Sequence, residues 1–334
     1  MSALPATMRA VVYDGSAAHH MRMKSDAPVP KPGASQVLVR VAAAGINPVD
    51  YKLGAMPVVG WLLRGKGVGL DVSGTVEACG AVAASKGFSP GDRVFGNCSG
   101  SLAEFAVAEV ADIAKLPAAM THHEAASLPV AALTGLQSLE EYGRIKAGDR
   151  VLIPGASGGT GALGVQLAKC LGASHVTGVC SAANAQLARE LGCDAVADYG
   201  QGEAALRAAV AQHGPYDLVY DTVSSPEDQN YGPLARQVLK PGAMHVAING
   251  SGGEWTRALL SKATGLNLQR KHFALMLKRN DGAGLARIAA WVEQKKLRPL
   301  LDSTHSFSEA GVHAAFDKLK SRRAKGKIVI TMTE

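Results

Sequence analysis

The segment Gly155-Ala156-Ser157-Gly158-Gly159-Thr160-Gly161 constrains this chain more than any other. It lies between residues 150–154, which read as an apolar strand, and 160–171, which read as a helix. Glycines there permit a tight turn and a close backbone approach to a pyrophosphate. The helix N-terminus adds free N–H groups and a partial positive charge. Strand, glycine loop and helix in that order predict a dinucleotide site.

The surrounding rhythm agrees. Strands over 175–180, 195–198, 217–221 and 243–248, and one near 273–277, alternate with helices over 183–191, 203–212 and 234–239. This pattern predicts an α/β domain with a doubly wound parallel sheet. The chain before Thr121 reads differently. Strands over 9–13, 36–42 and 71–77 are separated by Gly/Pro punctuation, and Pro90-Gly91-Asp92 marks a turn before 93–95. Strands without long helices predict a small barrel-like β domain. Thr121 and Glu124 have capping-box spacing, opening a helix over 124–142 that Pro129 breaks or kinks. Helices over 284–295 and 308–320 and a strand over 327–331 follow.

The bulk properties narrow the function. The 334 residues suffice for two domains, and 47% are hydrophobic. No apolar run reaches the ~18–20 residues needed to cross a bilayer. The stretch 1–10 has no apolar core of a secretory signal, so the expectation is a soluble, cytoplasmic protein. The net charge of +7 suits an anionic ligand such as a dinucleotide phosphate. One compact basic run exists: Lys318, Lys320, Arg322, Arg323, Lys325 and Lys327. With aromatic content at 5%, nucleic acid is not expected as the partner. The five cysteines are odd in number and lack CxxC spacing, which argues against a disulfide framework or a thiolate zinc site. The pairs His19-His20 and His122-His123 lack metal spacing and read as loop or cap residues.

The cofactor is read from the strand after the loop. An NAD site usually carries an acidic residue at that strand's end. Here the strand ends Cys180-Ser181-Ala182-Ala183-Asn184, with no carboxylate. Ser181 and Asn184 could donate hydrogen bonds to a 2′-phosphate, so NADPH is favoured over NADH. No basic residue stands at 182–184, and Ser181 also reads as a helix N-cap.

The chain resembles a known family along most of its length. Gly45-Ile46-Asn47-Pro48-Val49-Asp50-Tyr51-Lys52 is similar to the "GINPxDxK" segment of quinone oxidoreductases. Gly69-Leu70-Asp71-Val72-Ser73-Gly74-Thr75-Val76 is similar to "GxDxxGxV", Gly91-Asp92-Arg93-Val94 to "GDRV", and Leu191-Gly192-Cys193-Asp194 to "LGAD". The glycine loop with Val165-Gln166-Leu167-Ala168-Lys169 resembles "GGVGxxxVQLAK", and Gly326-Lys327-Ile328-Val329 the closing "GKxV". The family is the zinc-free, quinone-oxidoreductase-like branch of the medium-chain dehydrogenases/reductases.

The resemblance implies a GroES-like β-barrel catalytic domain over 1–122, completed by 279–334, and a Rossmann NADPH-binding domain over 123–278, with the cofactor in the cleft. Where zinc-dependent relatives place a Cys and a His, this chain has Asn47 and Leu70, which cannot replace thiolate and imidazole, so no metal is expected. The implied reaction is hydride transfer from NADPH to a small hydrophobic quinone or α,β-unsaturated carbonyl. Asn47, Asp50, Tyr51 and Lys52 are the catalytic candidates, although 47–50 also reads as an Asx-type turn and Lys52 as a solvated charge. Thr134 would approach the nicotinamide, and Ser157, Gly158, Gly159 and Thr160 the pyrophosphate. Ser181, Asn184 and Tyr199 would surround the adenosine phosphate. Asp221 and Thr222 would flank the cofactor, with Ile248, Asn249 and Phe273 near the nicotinamide. Segment 56–69, with Trp61, Leu62 and Leu63, reads as a substrate mouth or a subunit contact. The family expectation is a homodimer joined at Rossmann sheet edges. Two alternatives stand beside this reading: an NADPH-binding regulatory or structural protein, and an enoyl-thioester reductase.

Overall fold

The computed structural model describes residues 4–15, 17–225 and 229–332, so the first three residues of the N-terminal stretch read above lie outside it. The chain divides into two compact units, Met1–Val130 with Asn280–Glu334, and Ala131–Arg279.

The first unit contains β1 (Thr7–Tyr13), β2 (Met21–Pro28), β3 (Gln36–Gly45), β4 (Asp71–Cys79), β5 (Arg93–Asn97), β6 (Phe105–Glu109) and β7 (Ile113–Lys115). β1 and β2 pair as an antiparallel ribbon. β3 is the hub: it pairs antiparallel with β4 and with β6. That double pairing buries Val37, Leu38, Val39 and Val41, which is why this strand is apolar on both faces. Short helices, Pro48–Ala55, Pro57–Leu63 and Ala81–Ser85, interrupt what the sequence suggested was strand and turn only. Pro48 and Pro57 stand in the first turn of their helices, where a missing N–H costs nothing.

The second unit carries β8 (Arg150–Pro154), β9 (His175–Cys180), β10 (Ala195–Asp198), β11 (Tyr216–Asp221), β12 (Leu239–Ala247) and β13 (Phe273–Leu275). Their spatial order is β10-β9-β8-β11-β12-β13, and every pairing is parallel. This is the doubly wound order expected from the sequence. The order reverses between β8 and β11, the place where such sheets bind ligands beyond their C-terminal ends. The chain then returns to the first unit as β14 (Leu301–Ser306) and β15 (Lys327–Thr331). β15 pairs antiparallel with the C-terminal end of β3, setting Val329 opposite Gly45.

Two expectations change in detail. The helix expected over 124–142 is three segments: His122–Ala126, Pro129–Gln137 and a π-helical Ser138–Tyr142. Pro129 forces the break, because it has no N–H to bond the preceding turn. A helix over Gly252–Thr264 was not read from the sequence at all. It exposes Leu259 and Leu260, so its apolar pattern does not follow a single buried stripe. The histidine pairs sit at turns and caps. His19 and His20 lie in a 3-10 turn, and His122 opens its helix with Nδ1 2.8 Å from Ser73 Oγ.

The capping box at Thr121 is formed: Thr121 Oγ1 accepts from the Glu124 N–H at 3.2 Å, and Glu124 Oε2 accepts from the Thr121 N–H at 2.9 Å. Thr121→Ala is expected to destabilise the protein by about 1 kcal/mol, read as a lower urea midpoint with an unchanged m-value.

Candidate functional site

In the first unit a buried polar cluster joins four segments. β3 ends at Gly45, and the chain turns into the helix Pro48–Ala55 through Asn47, which is 3% exposed. Asn47 Nδ2 donates to Asp71 Oδ2 at 2.9 Å, and Asn47 Oδ1 accepts from Lys327 Nζ at 2.5 Å. Lys327 Nζ also donates to the Ile46 carbonyl at 2.9 Å and lies 3.4 Å from Asp71 Oδ2. Asp71 Oδ1 accepts from Asn97 Nδ2 at 3.1 Å and from the Val130 N–H at 2.7 Å. A buried lysine and a buried aspartate thus neutralise each other, with donors on the remaining lone pairs, as a charge pair out of water requires.

Asp50 extends the cluster. Its Oδ2 accepts from the Asn47 N–H at 2.7 Å, the carboxylate half of a capping box. Asp50 Oδ1 is buried and has no hydrogen-bond partner. Burial, aided by the nearby Asp71 charge, pushes the Asp50 carboxyl up to about 7 against the opposing Asn47 N–H and Lys327. Cys98 is also buried, and burial with Asp71 and Asp112 pushes its thiol up to about 12. Tyr51 packs edge-on against Phe316, with ring centroids 6.4 Å apart, and Lys320 Nζ lies 5.0 Å above its ring. Lys52 is exposed.

In the second unit the glycine loop leaves β8 with Gly155 at φ +84°. A Cβ on Gly161 would lie 2.1 Å from the Gly155 carbonyl oxygen, so the turn closes only with glycine there. Gly158 caps the helix Gly159–Cys170 without a side-chain hydrogen bond, which leaves the first-turn N–H groups open for an anion. Two further loops converge on this one. Asn184 Nδ2 donates to Ser157 Oγ at 3.1 Å, while Asn184 Oδ1 is buried without a partner. Thr222 Oγ1 donates to the Pro154 carbonyl at 2.7 Å, tying the β11 tip to the β8 tip.

Asp221 faces inward. Its oxygens accept from the Val223 and Ser224 N–H groups and from Ser224 Oγ, and one lies 3.2 Å from His245 Nε2. Burial opposes the charge, but the His245 and Ser224 contacts hold the carboxyl below its usual range. Thr134 is buried within Pro129–Gln137. Ile248 and Asn249 follow the C-terminal end of β12, and Tyr199 follows β10 with 45% exposure. Ser181 precedes the 3-10 turn Ala182–Asn184 but its side chain does not cap it. Phe273 is the exception. It starts β13 opposite His245, below the C-terminal edge, and packs its ring on that histidine with centroids 5.2 Å apart.

These are the parts of an oxidoreductase frame, and the comparisons name it. Residues 33–118 match the family described as alcohol dehydrogenase GroES-like domain, and 191–330 the family described as zinc-binding dehydrogenase. The chain is 32% identical to trans-enoyl reductase pgmF of Aspergillus terreus, covering 100% of this chain and 98% of that protein. The chain belongs to the medium-chain dehydrogenase/reductase family. Quinone-oxidoreductase QR1, chloroplastic, of Triphysaria versicolor is 34% identical over 97% of this chain and 98% of its own length. The solved quinone oxidoreductase of Coxiella burnetii matches this medium-chain fold with a TM-score of 0.80 at 28% identity, covering 98% and 99% of the two chains.

Sequence reading missed the role of Lys327. It was grouped with the surface basic run, but it is 6% exposed and belongs to the buried cluster. The signal was present: a lone cation in Lys327-Ile328-Val329-Ile330, an otherwise apolar strand. Asp198 was also missed. It reaches back from β10, and its Oδ1 accepts from the Ala182 N–H at 3.1 Å, beside Ser181.

Two outcomes test the cluster. Lys327→Met keeps the length of the side chain but strands the Asp71 charge, and is expected to destabilise the protein by about 3–5 kcal/mol in urea unfolding. Asp50 is neutral in the fold up to about 7 but ionises near 4 in the unfolded chain. Its stabilising contribution is therefore full below ~4 and is lost as pH rises through about 7. Asp50→Asn is expected to flatten that decline of the thermal midpoint over the same window.

Proposed function

We propose that this medium-chain reductase is a zinc-independent, NADPH-dependent enzyme that transfers hydride to a quinone or an α,β-unsaturated carbonyl. The observation that carries the reading is the open helix N-terminus behind the glycine loop, set at the switch point of the parallel sheet. The residues there fit a dinucleotide. Gly158, Gly159 and Thr160 offer N–H groups to a pyrophosphate, and the Ser157–Asn184 pair carries a buried, unpaired amide oxygen.

NADPH is favoured because the β9 tip has no carboxylate of its own. Asp198 approaches it, but its oxygens already accept from Ala182, Gly200 and Gln201. When bound, the cofactor supplies the hydride. The chain's own residues bind, orient and hold protons. Lys327 and Asp71 fix the Asn47 amide in one orientation, and Asp50 keeps a proton on its carboxyl near neutral pH.

Zinc independence rests on the donor set. Asp71 is engaged by Asn47, Asn97, Lys327 and Val130, and the Cys98 thiol is held protonated. No group of three or more His, Cys, Asp or Glu among the described residues is placed to hold a metal. A conjugated acceptor suits such a site because its negative charge delocalises on reduction. The names of the two curated relatives, an enoyl reductase and a quinone reductase, support that substrate class.

The reading is tested by following reduced-nicotinamide absorbance with NADPH or NADH against a benzoquinone, an enone, an alkenal and, in reverse, a simple alcohol. Faster NADPH oxidation with quinone or enone, unaffected by a chelator, is the expected result. Alcohol oxidation abolished by a chelator overturns it.

A further inference from the structure

The last five residues of β12, Ala243-Met244-His245-Val246-Ala247, carry one titratable side chain among apolar neighbours. β12 is an inner strand, between β11 and β13, and such a strand in a parallel sheet is normally apolar on both faces. His245 is nonetheless buried there, with Nε2 3.2 Å from Asp221 Oδ2. Asp221 is buried as well, and its carboxyl is held below the usual range by the His245 and Ser224 contacts against burial, so it is ionised at neutral pH. A carboxylate only accepts, so Nε2 carries the proton of this bond.

Asp221 is the last residue of β11, beside β8 at the point where the strand order reverses. Its other contacts are local. It accepts from the Val223 and Ser224 N–H groups at 3.0 and 2.9 Å and from the Ser224 hydroxyl, which itself accepts from the Tyr231 N–H at 2.8 Å. These bonds fold the loop upon itself. The bond from His245 comes from the neighbouring strand and sets the direction of the carboxylate relative to the sheet. What the loop then presents is Thr222 and Val223, and both lie against the glycine loop. A Cβ on Gly155 would stand 2.4 Å from Thr222 Oγ1 and 2.6 Å from Val223 Cγ2, and one on Gly161 would stand 3.1 Å from Thr222 Oγ1. Farther along the same loop, Ser225 Oγ is buried with no hydrogen-bond partner, a hydroxyl that the protein itself does not satisfy.

We propose that His245 is a positioning residue for the dinucleotide. Through Asp221 it holds Thr222 and Val223 against the glycine loop, so that the pyrophosphate enters a cradle already in its bound shape. The inference rests on the reading that this loop takes NADPH. A histidine that only filled the core would need no carboxylate beside it, and a leucine would fill the same space without burying an N–H. Here the partner is the residue that organises the loop. A cradle formed in advance lowers the ordering cost of binding and leaves the chemical step alone. The effect of His245 therefore falls on the Kd and KM of the dinucleotide and not on kcat.

The test compares two substitutions in the full chain. His245→Leu keeps the bulk and removes the donor, whereas His245→Gln keeps a donor at the reach of Nε2. NADPH binding is titrated by nicotinamide fluorescence, and KM and kcat are read from absorbance with a quinone acceptor. His245→Leu is expected to raise the Kd and KM for NADPH about tenfold, with kcat changed less than about twofold. His245→Gln should recover most of the lost affinity. Without cofactor, hydrogen exchange at Val223 and Ser224 should quicken in the leucine variant and slow again in the glutamine variant. If the leucine variant does not fold, His245→Asn, polar but too short to reach Asp221, takes its place with the same expected loss. NADPH binding indifferent to these changes, a loss confined to kcat, or a glutamine variant no better than the leucine one overturns the proposal. If the parent protein binds neither NADPH nor NADH, the reductase reading and this inference fall together. Binding that depends on His245 with no turnover of any acceptor counts against the reductase reading alone.

Discussion

The ion pair between Lys327 and Asp71 is the constraint on which the first unit depends. It brings together β15, the turn after β3, the start of β4 and, through the Val130 N–H, the last residues before the second unit. A buried carboxylate and a buried ammonium are each several kcal/mol unfavourable alone. Once the fold places one at β4, the other must arrive from β15. The Asn47 amide lies between them, with both of its ends spoken for. Its orientation is therefore determined by two full charges, and no water is needed to satisfy it.

The second unit solves its problem with shape instead of charge. The glycine loop is kept small by contacts a single methyl group would break, at Gly161 against Gly155 and at Gly155 against Thr222. What the loop leaves unfilled is a set of N–H groups at a helix start, beside the unpartnered Asn184 amide oxygen. An anionic ligand answers that demand. The two units thus prepare different chemistries: one a rigid, charge-locked polar cluster, the other an open cradle.

How much was legible in the sequence follows from range. The sheet of the second unit was readable because each strand–helix repeat is local, and the bounds of β8, β9, β10 and the helix Glu203–Gln212 emerge as their periodicity suggests. The glycine loop was readable for the same reason. The buried cluster was not, because Asn47 lies 24 residues from Asp71 and 280 from Lys327 and no local pattern relates them. Phe273 was placed near the loops by its position in the order of strands, but register sets it two residues back from the strand's end. The helix Gly252–Thr264 was legible but overlooked: Ser251 and Glu254 stand at capping-box spacing at its start.

The first unit is built from both ends of the chain, and this sets an order on synthesis. The second unit, Ala131–Arg279, leaves the ribosome whole and uninterrupted. The first unit has β3 and β4 early but lacks β15 until Lys327–Thr331 are added. Asp71 and Lys327 are 256 positions apart, which at ~5–20 residues per second takes roughly 13–50 s. Throughout that interval the nascent chain holds an aspartate without its lysine and a β3 edge without its neighbour. The sheet around β3 thus stays incomplete through that interval, and β15 serves as the clasp that ends the exposure.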